Sequence, residues 1–147
     1  MQGEVLKLII PGRPATKKNN GRIVMRGKYP RLLPSEAFEK YEKVALRYIR
    51  VAMPGQFRIP VTMQCRYWMP DRRGWPDLVG LLQATSDILE VAGVLENDRL
   101  IVDYDGSRIV GIDKDNPRTE IIIKELGTDY QSPDPYVRKK SAVSLFG

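Results

Sequence analysis

Hydrophobic and polar positions alternate across Ile59–Met69. Val61, Met63, Cys65, Tyr67 and Met69 fall on one side, and Thr62, Gln64, Arg66 and Trp68 on the other. A period of two predicts a strand with one buried face. Beyond the loop Pro70–Pro76 the period changes. Leu78, Leu81, Leu82, Thr85, Ile88, Leu89 and Ala92 recur at helical spacing, which predicts a helix over Asp77–Ala92 with Asp77 as N-cap and Gly93 as its stop. An earlier helix opens at Pro34-Ser35, with Ser35 as N-cap and Glu36 and Glu39 in the first turn, and ends before Pro54-Gly55. Phe38, Tyr41, Ala45, Tyr48 and Ala52 are its predicted buried side.

Glu4–Ile10, Arg99–Tyr104 and Thr119–Leu126 read as strands, and Arg22–Met25 and Tyr29–Leu33 as a hairpin around Gly27. Arg108–Ile112 has a weaker pattern. The order βββαβαββ predicts one small α/β (α+β) domain over residues 1–126, a mixed β-sheet with two main helices packed on it. After Gly127 periodicity ends, and residues 127–147 are predicted to be a flexible tail.

A length of 147 residues fits one domain with a real core. There is no histidine, and Cys65 is the only cysteine. An internal disulfide, a thiolate zinc site and a Ser–His or Cys–His nucleophile are therefore excluded. Cys65, on the alternating strand, is expected to be a core thiol. Acid–base or metal chemistry must use Asp, Glu, Lys, Arg or Tyr. No apolar run is long enough to span a bilayer and no signal peptide is evident, so a cytoplasmic protein is expected.

The net charge of +6 is unevenly spread. Residues 1–58 hold 13 Lys+Arg against 4 Asp+Glu, and residues 59–147 hold 11 against 14. A basic first part and an acidic second part suit a polyanion grip beside a metal centre. The acidic part centres on Asp71, Asp77, Asp87, Glu90, Glu96, Asp98, Asp103 and Asp105. Mg2+ takes oxygen ligands and retains waters, so one to three carboxylates suffice. On a helix, Asp77, Gly80, Ala84, Asp87 and Val91 share one stripe, with small residues between the two aspartates that leave room for a metal or a phosphate. Asp98 follows and could return to the helix start. The same residues also suit plainer roles: Asp77 an N-cap, Asp87 a solvated helix residue, Asp98 a turn former.

Pro76-Asp77-Leu78, Asp87-Ile88-Leu89, Ala92-Gly93-Val94 and Asn97-Asp98-Arg99-Leu100-Ile101 together resemble the core of the RusA-type Holliday junction resolvases, which reads D-x-D-N-x-x-K, then D-x-L, A-G-x and D-D-x-x-I. Pro14-Ala15-Thr16-Lys17-Lys18-Asn19 is similar to the family's opening loop, and Pro34-Ser35 with Tyr41-Glu42 matches phage-borne members. The resemblance covers residues 4–125. It implies a small α/β fold, a homodimer, dependence on Mg2+ (or Mn2+) and paired nicks across four-way or other branched double-stranded DNA.

Asp77 and Asp98 stand at the family's essential aspartates. Val79 and Gln83 replace its second aspartate and its lysine, while Gly80 and Asn97 replace an asparagine and an aspartate. Asp87 or Glu96 is expected to supply the missing ligand, and Lys17 or Lys18 the missing cation. The alternative is a catalytically silent protein that binds branched DNA on the same fold, or a more general nucleic-acid-binding module.

Arg13, Lys17, Lys18 and Arg22, with Asn19 among them, suit phosphate contacts. Arg72, Arg73 and Trp75, directly before Asp77, suit a phosphate and an unstacked base; Trp75 equally suits a core or dimer-interface role. The ending Ser144-Leu145-Phe146 resembles the short peptides that bind bacterial sliding clamps, although Ala142 stands where those peptides have glutamine.

Overall fold

The computed structural model describes residues 5–17, 22–33, 35–52, 54–127 and 130–135. The chain runs β1 (Val5–Pro11), β2 (Arg22–Arg26), β3 (Tyr29–Leu33), α1 (Glu36–Ala52), β4 (Val61–Met69), α2 (Leu78–Val91), a 3-10 turn (Asp98–Leu100), β5 (Ile101–Asp103), β6 (Arg108–Ile112) and β7 (Arg118–Glu125). It is an α+β domain with a mixed five-stranded sheet and two helices, as the periodicities predict.

β4 is the centre of the sheet. Antiparallel β7 lies on one side of it, with β1 antiparallel to β7 beyond. On the other side, β5 runs parallel to the start of β4 and β6 parallel to its end. β4, α2 and β5 thus form a crossover unit in which the helix carries the chain from the end of β4 back to its start. β2 and β3 form a separate hairpin in which Arg26 pairs with Tyr29. That tight reversal is made by Gly27, whose φ of 64° is readily adopted only without a Cβ.

The alternating face of β4 is the core. Val61, Met63, Cys65, Tyr67 and Met69 are all buried, against Leu81, Ile88 and Leu89 of α2 and Phe38, Tyr41 and Ala45 of α1. Cys65 is a core thiol whose burial pushes its pKa up to about 12. Two buried hydroxyl pairs cross the core, Tyr41 Oη with Thr119 Oγ1 at 2.6 Å and Tyr67 Oη with Thr85 Oγ1 at 2.7 Å. Each satisfies polar atoms that would otherwise cost about 1–3 kcal/mol unpaired.

Three readings of the sequence are corrected. On α1, Ile49 is buried in place of Tyr48, which is 49% exposed, and Ala52 is exposed at the helix end. Positions 41, 45 and 49 follow an i+4 row onto the sheet, and the wholly apolar isoleucine takes the place that the hydroxyl-bearing tyrosine leaves. The strand expected over Arg99–Tyr104 begins as a 3-10 turn, because the Asn97 side chain caps it by accepting from Arg99 N at 2.8 Å. Arg108–Ile112 is a full strand, so three strands follow α2.

Candidate functional site

Two loops meet at the end of β4. The Arg13 guanidinium, just past β1, donates to Asp71 Oδ2 at 2.6 Å and to the Arg73 carbonyl at 3.0 Å. Asp71 also accepts from Arg73 N at 2.9 Å. The Arg13 hydrogen bond, followed by that of the Arg73 backbone, holds the Asp71 carboxyl down at about 2. Arg72 and Arg73 are exposed, and Trp75 is 47% exposed, so this edge presents cations and an indole to solvent.

Asp77 is the N-cap of α2. Its backbone is extended (φ −86°, ψ 148°) and its Oδ2 accepts from Gly80 N at 3.0 Å. The space beside Gly80 is taken: a Cβ there would stand 2.7 Å from Asp77 Oδ1 and 3.1 Å from Thr16 Cγ2. The room expected between the small residues of this stripe is filled by buried Thr16, and Ala84 is buried as well.

Farther along α2, Asp87 accepts from Gln83 Nε2 at 2.9 Å and pairs with Lys17 Nζ at 3.0 Å. Lys17 also lies 5.7 Å from the centre of the Phe38 ring. Lys17 therefore does reach a candidate carboxylate, and it is Asp87 rather than Asp77.

Asp98 begins the 3-10 turn, past the far end of α2. Half-buried Tyr104 is influenced by both acids: burial raises its pKa first, then Cys65, a hydrogen bond with Ser86 opposes the rise, and Asp98 and Asp87 add to it. Glu96 is half-buried, with its backbone N donating to the Phe57 carbonyl at 3.0 Å. Arg99 holds Asp134 through two bonds of 2.7 and 2.6 Å, which brings residues 130–135, including buried Ser132, against this end of the molecule.

The candidate residues thus divide into two sets. Asp77 stands with Arg13, Arg72, Arg73 and Trp75 at the start of α2. Asp87, Lys17 and Asp98 gather toward its other end. Ten helical positions separate Asp77 from Asp87, a rise of about 15 Å, too far to share an ion. Among the described residues no group of three or more Cys, Asp or Glu side chains is placed to hold a metal. Within one chain these residues do not fit the single centre that the family resemblance implies.

Lys18 and Asn19 lie outside the described residues, as do Ser144, Leu145 and Phe146. Arg22 is placed by its backbone at the start of β2 only; its side chain is not among those described. Sequence reasoning missed Asp71 as the partner of Arg13, and Thr16 and Tyr104 as neighbours of the carboxylates. Each depends on which strand ends are adjacent, which no local pattern carries. No helix among the described residues is long and apolar enough to cross a membrane. No family model matches the chain, and no curated protein sequence matches it.

Proposed function

We propose that this chain is a divalent-metal-dependent, structure-selective endodeoxyribonuclease acting on four-way or other branched DNA, related to the RusA-type resolvases and working as a homodimer. The observation that carries this reading is the Arg13 staple. It ties the opening loop to the Asp71–Arg73 loop, so that Arg13, Arg72, Arg73 and Trp75 share the edge where Asp77 opens α2. Phosphate contacts and an unstacked base suit such an edge, and a hydrolytic carboxylate beside them suits a nuclease. The motif order Asp77, Asp87, Asn97-Asp98 supports the same reading. The test is incubation of the purified protein with a synthetic four-way junction and Mg2+ or Mn2+. Paired nicks near the branch point are expected; an intact junction under both metals overturns the proposal.

A silent branched-DNA-binding protein is the second reading. It is favoured by Val79, 74% exposed where the family has an aspartate, and by the engagement of Asp87 with Lys17 and Gln83. Junction binding without cleavage is its signature. A clamp-binding role for Ser144, Leu145 and Phe146 belongs to the proposal too, and titration of that terminal peptide against a bacterial sliding clamp tests it.

A further inference from the structure

β1 is the last strand on its side of the sheet: β7 lies along one edge, and among the described residues no strand lies along the other. The register fixes which backbone groups face that open edge. Gly12 N donates to Pro117 O at 2.9 Å, in the same register that pairs Ile10 with Thr119 and Leu8 with Ile121. Hydrogen-bonded and non-bonded pairs alternate in an antiparallel ladder, so Leu6, Leu8 and Ile10 turn their N–H and C=O groups toward β7, and Val5, Lys7 and Ile9 turn theirs outward. The other side of β7 agrees, since Leu126 N donates to Pro60 O and the even residues of β7 therefore face β4.

The side chains of the outward set are exposed too, with Val5 at 53% and Ile9 at 58%. On the core side, α1 overhangs the edge: Tyr48 and Val51 line a groove with Lys7 and Ile9, and Val51 is 80% exposed. A strand laid along β1 would place alternate side chains against Tyr48 and Val51, and the others beside Val5, Lys7 and Ile9. The charge beside this groove is positive. Lys7 is the one ionisable residue lining it, and Lys40 and Arg47 are exposed on the helix row that leads to Val51.

We propose that the open edge of β1, with the flank of α1 beside it, docks an extended segment of a partner protein in which apolar and acidic residues alternate. A second copy of β1 fits less well. Two-fold pairing of the whole outward set, Val5 against Ile9, puts Lys7 directly opposite Lys7, and like charges so placed are destabilising. The chain's own last residues begin with Arg138-Lys139-Lys140, which repeat the charge already beside the groove. Phosphate makes no use of Val5, Ile9 or Val51.

The test selects a random-peptide display library on the immobilised full chain and follows the strongest binder by amide exchange. Selected peptides should alternate apolar and acidic residues. Binding should slow exchange of the Lys7 and Ile9 amides by about tenfold or more and change those of Leu8 and Ile10, already paired with β7, far less. Lys7→Glu and Val51→Asp alter exposed side chains only, so both should fold, which thermal denaturation checks; each should weaken the peptide by about tenfold or more. A selection without this alternation overturns the proposal, as does a peptide that binds and leaves the Lys7 and Ile9 amides unprotected. Protection of those amides in the protein alone, at concentrations where it sediments as a dimer, would give the edge to a second copy and overturn it equally. Their protection by duplex DNA would give the edge to nucleic acid, with the same consequence.

Discussion

The two ends of α2 are built from opposite materials. At its start two carboxylates, Asp77 and Asp71, stand near Arg13, Arg72 and Arg73, and Asp71 ties the loops together through Arg13 and Arg73. At its finish, Asp87 and Asp98 both raise the pKa of half-buried Tyr104, and the cations Lys17 and Arg99 are engaged with Asp87 and Asp134. The first end carries the exposed cations Arg72 and Arg73, and the second carries Asp87 and Asp98. A nucleic acid following the charge would dock at the start of α2, where the chain offers too few ligands for a metal. Exposed arginines and the second group of acids are separated by the length of one helix, and that separation distinguishes this arrangement from a pocket holding both.

The sharpest way to break the comparison is to remove one acid from each end. Asp77→Asn and Asp98→Asn should each lower junction cleavage by about 100-fold or more, the scale of losing a charged group that acts in the transition state. Binding, measured by gel shift, should survive or tighten as repulsion of phosphate falls. A large effect from Asp77 alone would confine the chemistry to the basic end.

Lys17 is the link between the ends, since it comes from the loop at the start and pairs with the acid farther along. Lys17→Ala should weaken junction binding and reduce the slope of log K against log salt by about 1. An unchanged slope would mean that Lys17 serves Asp87 only and never meets phosphate.

Arg13→Ala tests the staple. The Asp71 carboxyl is held at about 2, below its ordinary 3.8. A depressed value in the folded state contributes stability above the unfolded value, and that contribution is lost as pH falls through the folded one. Wild type should therefore lose stability from about pH 4 down to about pH 2, and the variant should show a shallower fall there. A carboxyl 13C titration should place Asp71 nearer 3.8 in the variant. A midpoint still near 2 would assign the effect to the Arg73 backbone.

How much of this was legible follows the range of each interaction. The buried face of β4 and the leucine face of α2 are local periodicities, and both are read directly from the chain. The caps at Ser35 and Asp77 are local too: Ser35 Oγ accepts from Phe38 N at 3.1 Å and Asp77 from Gly80 N. Tyr48 and Ile49 are adjacent and both apolar, so only the angle at which α1 meets the sheet decides between them. The carboxylate stripe reads as one surface because its period is helical, but a period gives direction and not distance. The ten-residue spacing from Asp77 to Asp87 already carried the separation of about 15 Å that keeps them from one ion. Thr16 over Gly80, Arg13 on Asp71 and Arg99 on Asp134 join segments far apart in sequence, and they became visible only with the strand order.

Gly80→Ala carries the smallest expected change in stability and asks whether Asp77 is more than a cap. The new Cβ would lie 2.7 Å from Asp77 Oδ1 and 3.1 Å from the Thr16 methyl. Thr16 is buried and has little freedom to retreat, so the carboxylate must swing away from Gly80 N. Losing that cap costs about 1 kcal/mol. Alanine in place of glycine within a helix returns about 1 kcal/mol. The two nearly cancel, and chemical denaturation should find the variant within about 0.5 kcal/mol of wild type. The position of the carboxylate changes even so. If Asp77 takes part in the chemistry, cleavage should drop at least tenfold with folding intact, as expected when a reacting group is misplaced by about 1 Å. If Asp77 does nothing but cap α2, the same variant should cut as fast as wild type.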